Sequence, residues 1–289
     1  MDVSVLKIID CHNHSLPAID DGAIDSSMAL EMLKIAQQNG TTDIVLTPHH
    51  LNGAFQNFSN EVKKYTQELI NSATKAQLKV RLHFGSEVHL TPETAEQLIS
   101  NKALTYNGLG KAALIELPKS SIPTGVESIL SQLIYHGITP IIAHPERNSS
   151  LRANIEPLKE WVNFGCKAQL TGQSCTGDFG QGIQRMSLEM ITNKTVHLVA
   201  SDAHRPTGRS PNLSNAATLL TEVFGEHVSK TLLYDNPLRL IKGEDLETLS
   251  LDQEHFNSER YDSLTNQKQK KSRKKTRKKS GSWLKKLTR

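Results

Sequence analysis

At 289 residues the chain is long enough for one large α/β barrel or for two domains. Three cysteines, Cys11, Cys166 and Cys175, with no CxxC spacing, argue against a disulfide framework and a thiolate zinc site and fit a reducing cytoplasm. The formal net charge of +4 is misleading: Lys268–Arg289 carries 12 Lys or Arg and no acid, which leaves 22 basic against 30 acidic residues over positions 1–267. No secretory signal is visible at the start, and no apolar run approaches the ~20 residues of a membrane-spanning helix.

Seven apolar, β-branched runs read as strands, and amphipathic segments between them read as helices. The first, Leu6–Cys11, runs into His12-Asn13-His14 and then Asp20-Asp21-Gly22, before a helix predicted over Ser26–Asn39 that stops at Gly40. Asp43–Thr47 is the second strand; Pro48-His49-His50 follows it, and then a helix over Ser59–Ala76. The third, Val80–Phe84, leads to Gly85-Ser86-Glu87 and a helix at Thr94–Ser100. Ala112–Leu117 carries Glu116, and Gly125–His136 is the helix after it. Thr139–Ala143 ends in His144-Pro145-Glu146-Arg147, ahead of a helix over Ile155–Phe164. Lys167–Thr171 ends in Gly172-Gln173-Ser174, with no obvious ligand, and precedes a helix over Ile183–Asn193. Thr195–Ala200 ends in Ser201-Asp202-Ala203-His204, and Asn212–Phe224 is helical. A last short helix is predicted at Asp235–Gly243. Seven βα units without an antiparallel interlude point to a barrel rather than an open sheet. Residues 1–250 read as one domain, and 251–289 as a polar, then Lys/Arg-rich, disordered tail.

Residues i and i+2 of a strand face the same way, so His12 and His14 project together. The C-terminal strand ends of a barrel converge on one mouth. There the sequence sets His12, His14, Asp20 or Asp21, His49, Glu87, Glu116, His144, Asp202 and His204. Histidine and carboxylate without thiolate suit Zn, Mn or Fe. Nine ligands exceed one ion's coordination, so two or three ions are implied, with a carboxylate bridging. Closely spaced ions of this kind activate water and neutralise phosphoryl oxygens. Arg147 and Arg209 flank the ligands, and a site rich in cations gains from guanidinium only if its substrate is strongly anionic, as a phosphate ester is. Asp20 and Asp21 also suit a turn before Gly22. Glu146 reads as an ion-pair or supporting residue, and His50 as pointing away from the site. His83, His89, His136, His197, His227 and His255 are not read as ligands.

The ordered set His12-x-His14, Asp20-Asp21-Gly22, Pro48-His49-His50, Glu87, His144-Pro145-Glu146-Arg147 and Ser201-Asp202-Ala203-His204 resembles the polymerase and histidinol phosphatase (PHP) superfamily. Within it, Thr47–His50 and Ala143–Asn148 resemble the bacterial manganese-dependent protein-tyrosine phosphatases of capsule and exopolysaccharide control. The resemblance spans about Ile8 to Gly243. It implies a distorted (β/α)7 barrel of PHP, TIM-like type, with Mn2+ as the cofactor and Fe, Co or Zn as substitutes. It further implies one ion on His12, His14, Glu87 and Asp202, a second on Glu87, Glu116 and His144, and a third on Asp21, His49 and His204, with Arg147 and Arg209 gripping phosphate.

A cysteine mechanism needs C-x5-R, but Pro17, Gly172 and Gln181 stand six residues after the three cysteines. The resemblance implies a phosphotyrosyl protein as substrate, specifically a polysaccharide-export tyrosine kinase. The alternatives are a histidinol-phosphate or other small phosphomonoester phosphatase, and a catalytically silent metal-bound binding module. The basic tail, with Trp283, Leu284 and Leu287, suits an anionic membrane surface, which would put a cytoplasmic protein at the inner face of the membrane. No specific nucleic-acid partner is expected.

Overall fold

The computed structural model describes residues 7–252 and 254–265. Among the described residues nine strands follow one another: β1 Ile8–Asn13, β2 Thr41–Leu46, β3 His49–His50, β4 Arg81–Phe84, β5 Glu87–His89, β6 Ala112–Glu116, β7 Thr139–Ala143, β8 Lys167–Thr171 and β9 Leu198–Ala200. Every ladder between them is parallel. They fill seven strand positions, because the second and third are each broken in two. The first halves form a sheet ordered β1-β2-β4, and the second halves join one ordered β3-β5-β6-β7-β8-β9. The break in the second position falls at Thr47-Pro48, where proline has no N–H to give a ladder. The Pro48 carbonyl instead accepts from Glu87 N at 3.1 Å, and Gly85 N donates to Leu46 O at 2.9 Å.

The barrel closes where β1 meets the segment after β9. Asp202 N donates to His12 O at 2.8 Å, and His14 N to Ala203 O at 2.9 Å. The buried carboxylate of Asp10 staples this seam, accepting from Ser201 N (2.9 Å), Ser201 Oγ (2.6 Å) and Asn13 Nδ2 (2.9 Å). Inside the barrel Cys11, Val45, Leu114, Ile141, Ala143, Leu198 and Ala200 pack into an apolar floor with Tyr106. Strands buried on both faces account for the near-continuous apolar runs in the sequence.

Helices Ser26–Gln38, Ser59–Lys75, Thr94–Ile99, Val126–Tyr135, Glu156–Phe164, Gln181–Thr192 and Ser214–Phe224 occupy the predicted connections. The predicted last helix starts earlier than expected. Glu226–Lys230 runs through a π segment, Thr231–Asp235, into Asn236–Lys242. The wider π turn sits just ahead of Pro237, which cannot donate to the helical ladder.

The predicted disordered tail from residue 251 is corrected over its first part. Helix Ser258–Thr265 is folded onto the domain. Phe256 and Tyr261 pack on Phe224, with ring centroids 5.8 and 6.3 Å away, and Asn257 N donates to Val223 O at 2.9 Å. The polar composition concealed these few aromatic anchors. The predicted strand residue Leu6 and the Lys/Arg-rich segment from Lys268 lie outside the described residues. Among the described residues, no helix is long and apolar enough to cross a membrane.

Candidate metal centre

The strand ends gather all nine predicted ligands into three overlapping groups. These are His12, Glu87, His144 and Asp202; His14, Asp21, His49 and His204; and His49, Glu87 and Glu116, with ligand atoms in each group within 4.8 Å of one another. His12 Nε2 lies 3.2 Å from Glu87 Oε2 and 3.1 Å from His14 Nε2. His14 Nε2 is 3.3 Å from Glu87 Oε2, so it stands between the first two groups. His144 Nε2 is 2.9 Å from Glu87 Oε1 and 4.0 Å from Glu116 Oε1. Asp21 Oδ1 faces His49 Nε2 at 3.3 Å and His204 Nε2 at 3.2 Å.

Glu87 Oε2, Asp202 Oδ1, His49 Nδ1 and His204 Nε2 are buried and make no hydrogen bond. Leaving such atoms unpaired is costly, and their convergence fits a cation held by nitrogen and oxygen donors. The electrostatics agree. Burial opposes the charge on Glu87 and on Asp202, but the neighbouring His12 and other basic groups hold both carboxyls well below the usual range. Burial likewise opposes charge on His49, yet Glu87 and Asp21 carry its pKa up to about 10. His204 goes the other way, to about 4, through burial and the neighbouring His14. Two members sit on left-handed backbone, His144 at φ 32° and Asp202 at φ 50°. Such conformations cost about 1–3 kcal/mol each and persist where surrounding structure imposes them.

Asp20, which the sequence offered as an alternative ligand, orients the donors together with residues the sequence did not single out. His14 Nδ1 donates to Asp20 Oδ2 at 2.7 Å, and Asp20 also accepts from Gly22 N (2.8 Å) and His49 N (3.2 Å). The choice between the two aspartates thus separates by role: Asp21 faces the cluster and Asp20 holds its frame. Gly22 is required by close approach, since a Cβ there would lie 2.0 Å from His14 O. His12 Nδ1 pairs with Gln169 Oε1 at 2.8 Å, which fixes the ring so that Nε2 points inward. His89 Nδ1 pairs with Glu116 Oε2 at 3.1 Å. Arg205 donates to Asp21 O at 2.6 Å and His204 O at 2.7 Å, tying two loops together.

Arg147 and Arg209 both reach Asp202 Oδ2, Arg209 at 2.5 Å, and both side chains remain partly exposed at the mouth. Asp202 therefore turns one oxygen to the histidines and the other to the guanidinium pair. Glu146 is buried; its Oε1 accepts from Thr171 N at 2.9 Å, which braces the turn that carries Arg147. His50 is buried away from the cluster against Phe58. His83 pairs with Asp43 at 2.9 Å, His255 with Asp252 at 2.8 Å, and His136 with Gln132 O at 2.9 Å.

A parallel barrel with clustered histidines and carboxylates at its mouth, and two arginines above them, defines a metal-dependent hydrolase. Residues 8–242 match the family model of capsular polysaccharide synthesis proteins CpsB/CapC, and the chain belongs to that family. It is 40% identical over 202 residues to the CapC protein of Staphylococcus aureus, covering 70% of this chain and 79% of the relative. It is 34% identical over 233 residues to the tyrosine-protein phosphatase YwqE of Bacillus subtilis, covering 81% of this chain and 91% of the relative. Among solved structures it matches one described as YwqE from Bacillus subtilis and CpsB from Streptococcus pneumoniae, unique metal-dependent tyrosine phosphatases. That match has TM-score 0.81 at 32% identity and covers 85% of this chain and 98% of the other. A phosphotriesterase homology protein from Escherichia coli shares the fold alone, at TM-score 0.57 and 12% identity, over 82% of this chain and 99% of that one.

Proposed function

We propose that this chain is a metal-dependent protein-tyrosine phosphatase. Its substrate is a phosphotyrosyl protein, specifically a tyrosine kinase that controls capsule or exopolysaccharide synthesis. The observation that carries the reading is the convergence of nine nitrogen and oxygen donors beneath two arginines.

In this reading His12, His14, Asp21, His49, Glu87, Glu116, His144, Asp202 and His204 would hold two or three Mn2+ ions. When bound, such ions supply an activated water and neutralise phosphoryl oxygens. Arg147 and Arg209 grip and orient the phosphate by forked, charge-assisted hydrogen bonds. Asp202 positions both guanidiniums at the mouth, and Asp20 and Gln169 hold the imidazoles in one tautomer. Phenolate is a good leaving group, so no strong general acid is demanded of the protein. The three cysteines are buried, and burial pushes the Cys166 thiol up to about 12, which fits chemistry that does not pass through a thiolate.

The test compares rates of Mn-loaded protein on a phosphotyrosyl peptide, histidinol phosphate and a phosphodiester. The peptide is expected to be preferred, and His14→Ala or Asp202→Ala should lower its turnover about 100- to 1000-fold, a magnitude typical of removing a group that acts in the transition state. Preference for histidinol phosphate would overturn the substrate assignment, and unimpaired variants would overturn the ligand assignment.

We further propose that the protein works in the cytoplasm and that its basic segment from Lys268, outside the described residues, associates with anionic lipid at the inner face of the membrane. Support comes from its charge, since each basic residue near such a surface adds about 1 kcal/mol. Full-length protein should co-sediment with anionic liposomes, and a chain ending at Thr265 should not; equal pelleting removes the idea.

A further inference from the structure

Two large apolar rings stand at the rim of a mouth otherwise made of histidines, carboxylates and arginines. Phe55 follows β3, and its half-buried ring runs parallel to that of His49, at an interplanar angle of 10° with centroids 6.3 Å apart. Phe179 follows β8, and the Arg147 guanidinium carbon lies 5.5 Å over its ring.

The loop that carries Phe55 is built, not loose. Asn52 Oδ1 accepts from Ala54 N at 3.1 Å and from Phe55 N at 2.8 Å. Asn57 Nδ2 donates to Ile19 O and His49 O, both at 2.9 Å, and His50 bridges to Gln56. The loop is thereby pinned to the backbone of a proposed ligand. The third aromatic nearby, Phe58, packs edge-on against the buried His50 instead. Phe55 thus keeps a half-buried ring on a fixed loop beside the cluster, with its plane parallel to that of His49.

We infer that Phe55 is a specificity-determining residue that reads the aryl group of the substrate. The inference rests on the phosphatase reading and deepens it. A phosphoryl group held at the cluster would have His49 as a neighbour, the candidate ligand that faces both Asp21 at 3.3 Å and Glu87 at 2.9 Å. An ester group that leaves the phosphoryl centre on the His49 side would meet the parallel ring of Phe55. An aryl ester offers a face or edge to that ring; an alkyl ester offers neither. Phe179 differs in kind. A cation already occupies a face of its ring, so it acts through Arg147 as a positioning residue and supports every phosphate alike.

The experiment uses full-length, Mn-loaded protein and measures binding of phenylphosphonate, methylphosphonate and inorganic phosphate, together with kcat and KM on a phosphotyrosyl peptide. Phe55→Ala is expected to reduce the phenyl-over-methyl binding preference about 3- to 10-fold, the scale of an aromatic pair, and to raise KM for the peptide more than it lowers kcat. Phe55→Trp should retain the preference, and Phe55→Leu, which keeps apolar bulk, should lose it. Phe179→Leu should weaken all three ligands by a common factor. Equal weakening of both phosphonates in Phe55→Ala, or no weakening, overturns the inference. Wild-type protein that turns over no phosphotyrosyl peptide would count against the phosphatase reading, while phosphonate binding would still decide the role of Phe55.

Discussion

At the scale of single residues, most donors were legible because they sit where an apolar run stops; Glu116 lies within its run and Asp21 in the turn that follows the first strand. Their supports were not legible. Gln169 is a neutral residue inside β8 whose partner, His12, lies 157 positions away. Asp20 and Asp21 are adjacent in a turn, where no period separates inward from outward. His89 follows Glu87 at the spacing that shares its face, yet it serves Glu116 rather than the centre of the cluster. The supporting role of Asp20 predicts a graded phenotype. Asp20→Ala should weaken Mn2+ binding about 10- to 100-fold, with much of the rate restored at saturating metal. Titration of activity with Mn2+ checks this; loss of rate that excess metal cannot restore would give Asp20 a direct role instead.

At the scale of elements, hydrophobic alternation with helical segments was enough to place seven strand positions, but not to show that two of them break. The breaks come from Thr47-Pro48 and Gly85-Ser86, and they let β3 and β5 re-pair in the second sheet and carry His49 and Glu87 into the centre. The last strand is shorter than its apolar run suggests: Thr195–His197 precedes β9, though His197 N still donates to Ala168 O at 2.9 Å. Burial and the charge of Lys167 lower the pKa of His197 to about 3. An unfolded chain takes up that proton below about 6.5, and the folded one only below about 3, so stability falls with decreasing pH across that window. His197→Gln is expected to flatten the decline by about 1.4 kcal/mol per pH unit between pH 6 and 4. Urea unfolding at several pH values measures the slope, and coincident slopes would assign the acid sensitivity elsewhere.

At the scale of the whole molecule, the folded body is larger than the matched region, which ends at residue 242. The segment through Thr265 closes over Phe224 with Phe256 and Tyr261, whose own rings lie 5.4 Å apart. Phe256→Ala in the full chain should cost about 2 kcal/mol and several degrees of melting temperature. An unchanged melting temperature would mean that this helix does not hold the body together in solution. The closure of the barrel has a consequence in time. Asp10 and Ser201, which staple the seam, are 191 residues apart, and the candidate ligands stand on both sides of it. During synthesis at ~5–20 residues per second, His12 and His14 are added to the chain about 10–40 s before Asp202 and His204. The two sides of the candidate centre can therefore meet only once the final βα unit has been made and the seam has closed.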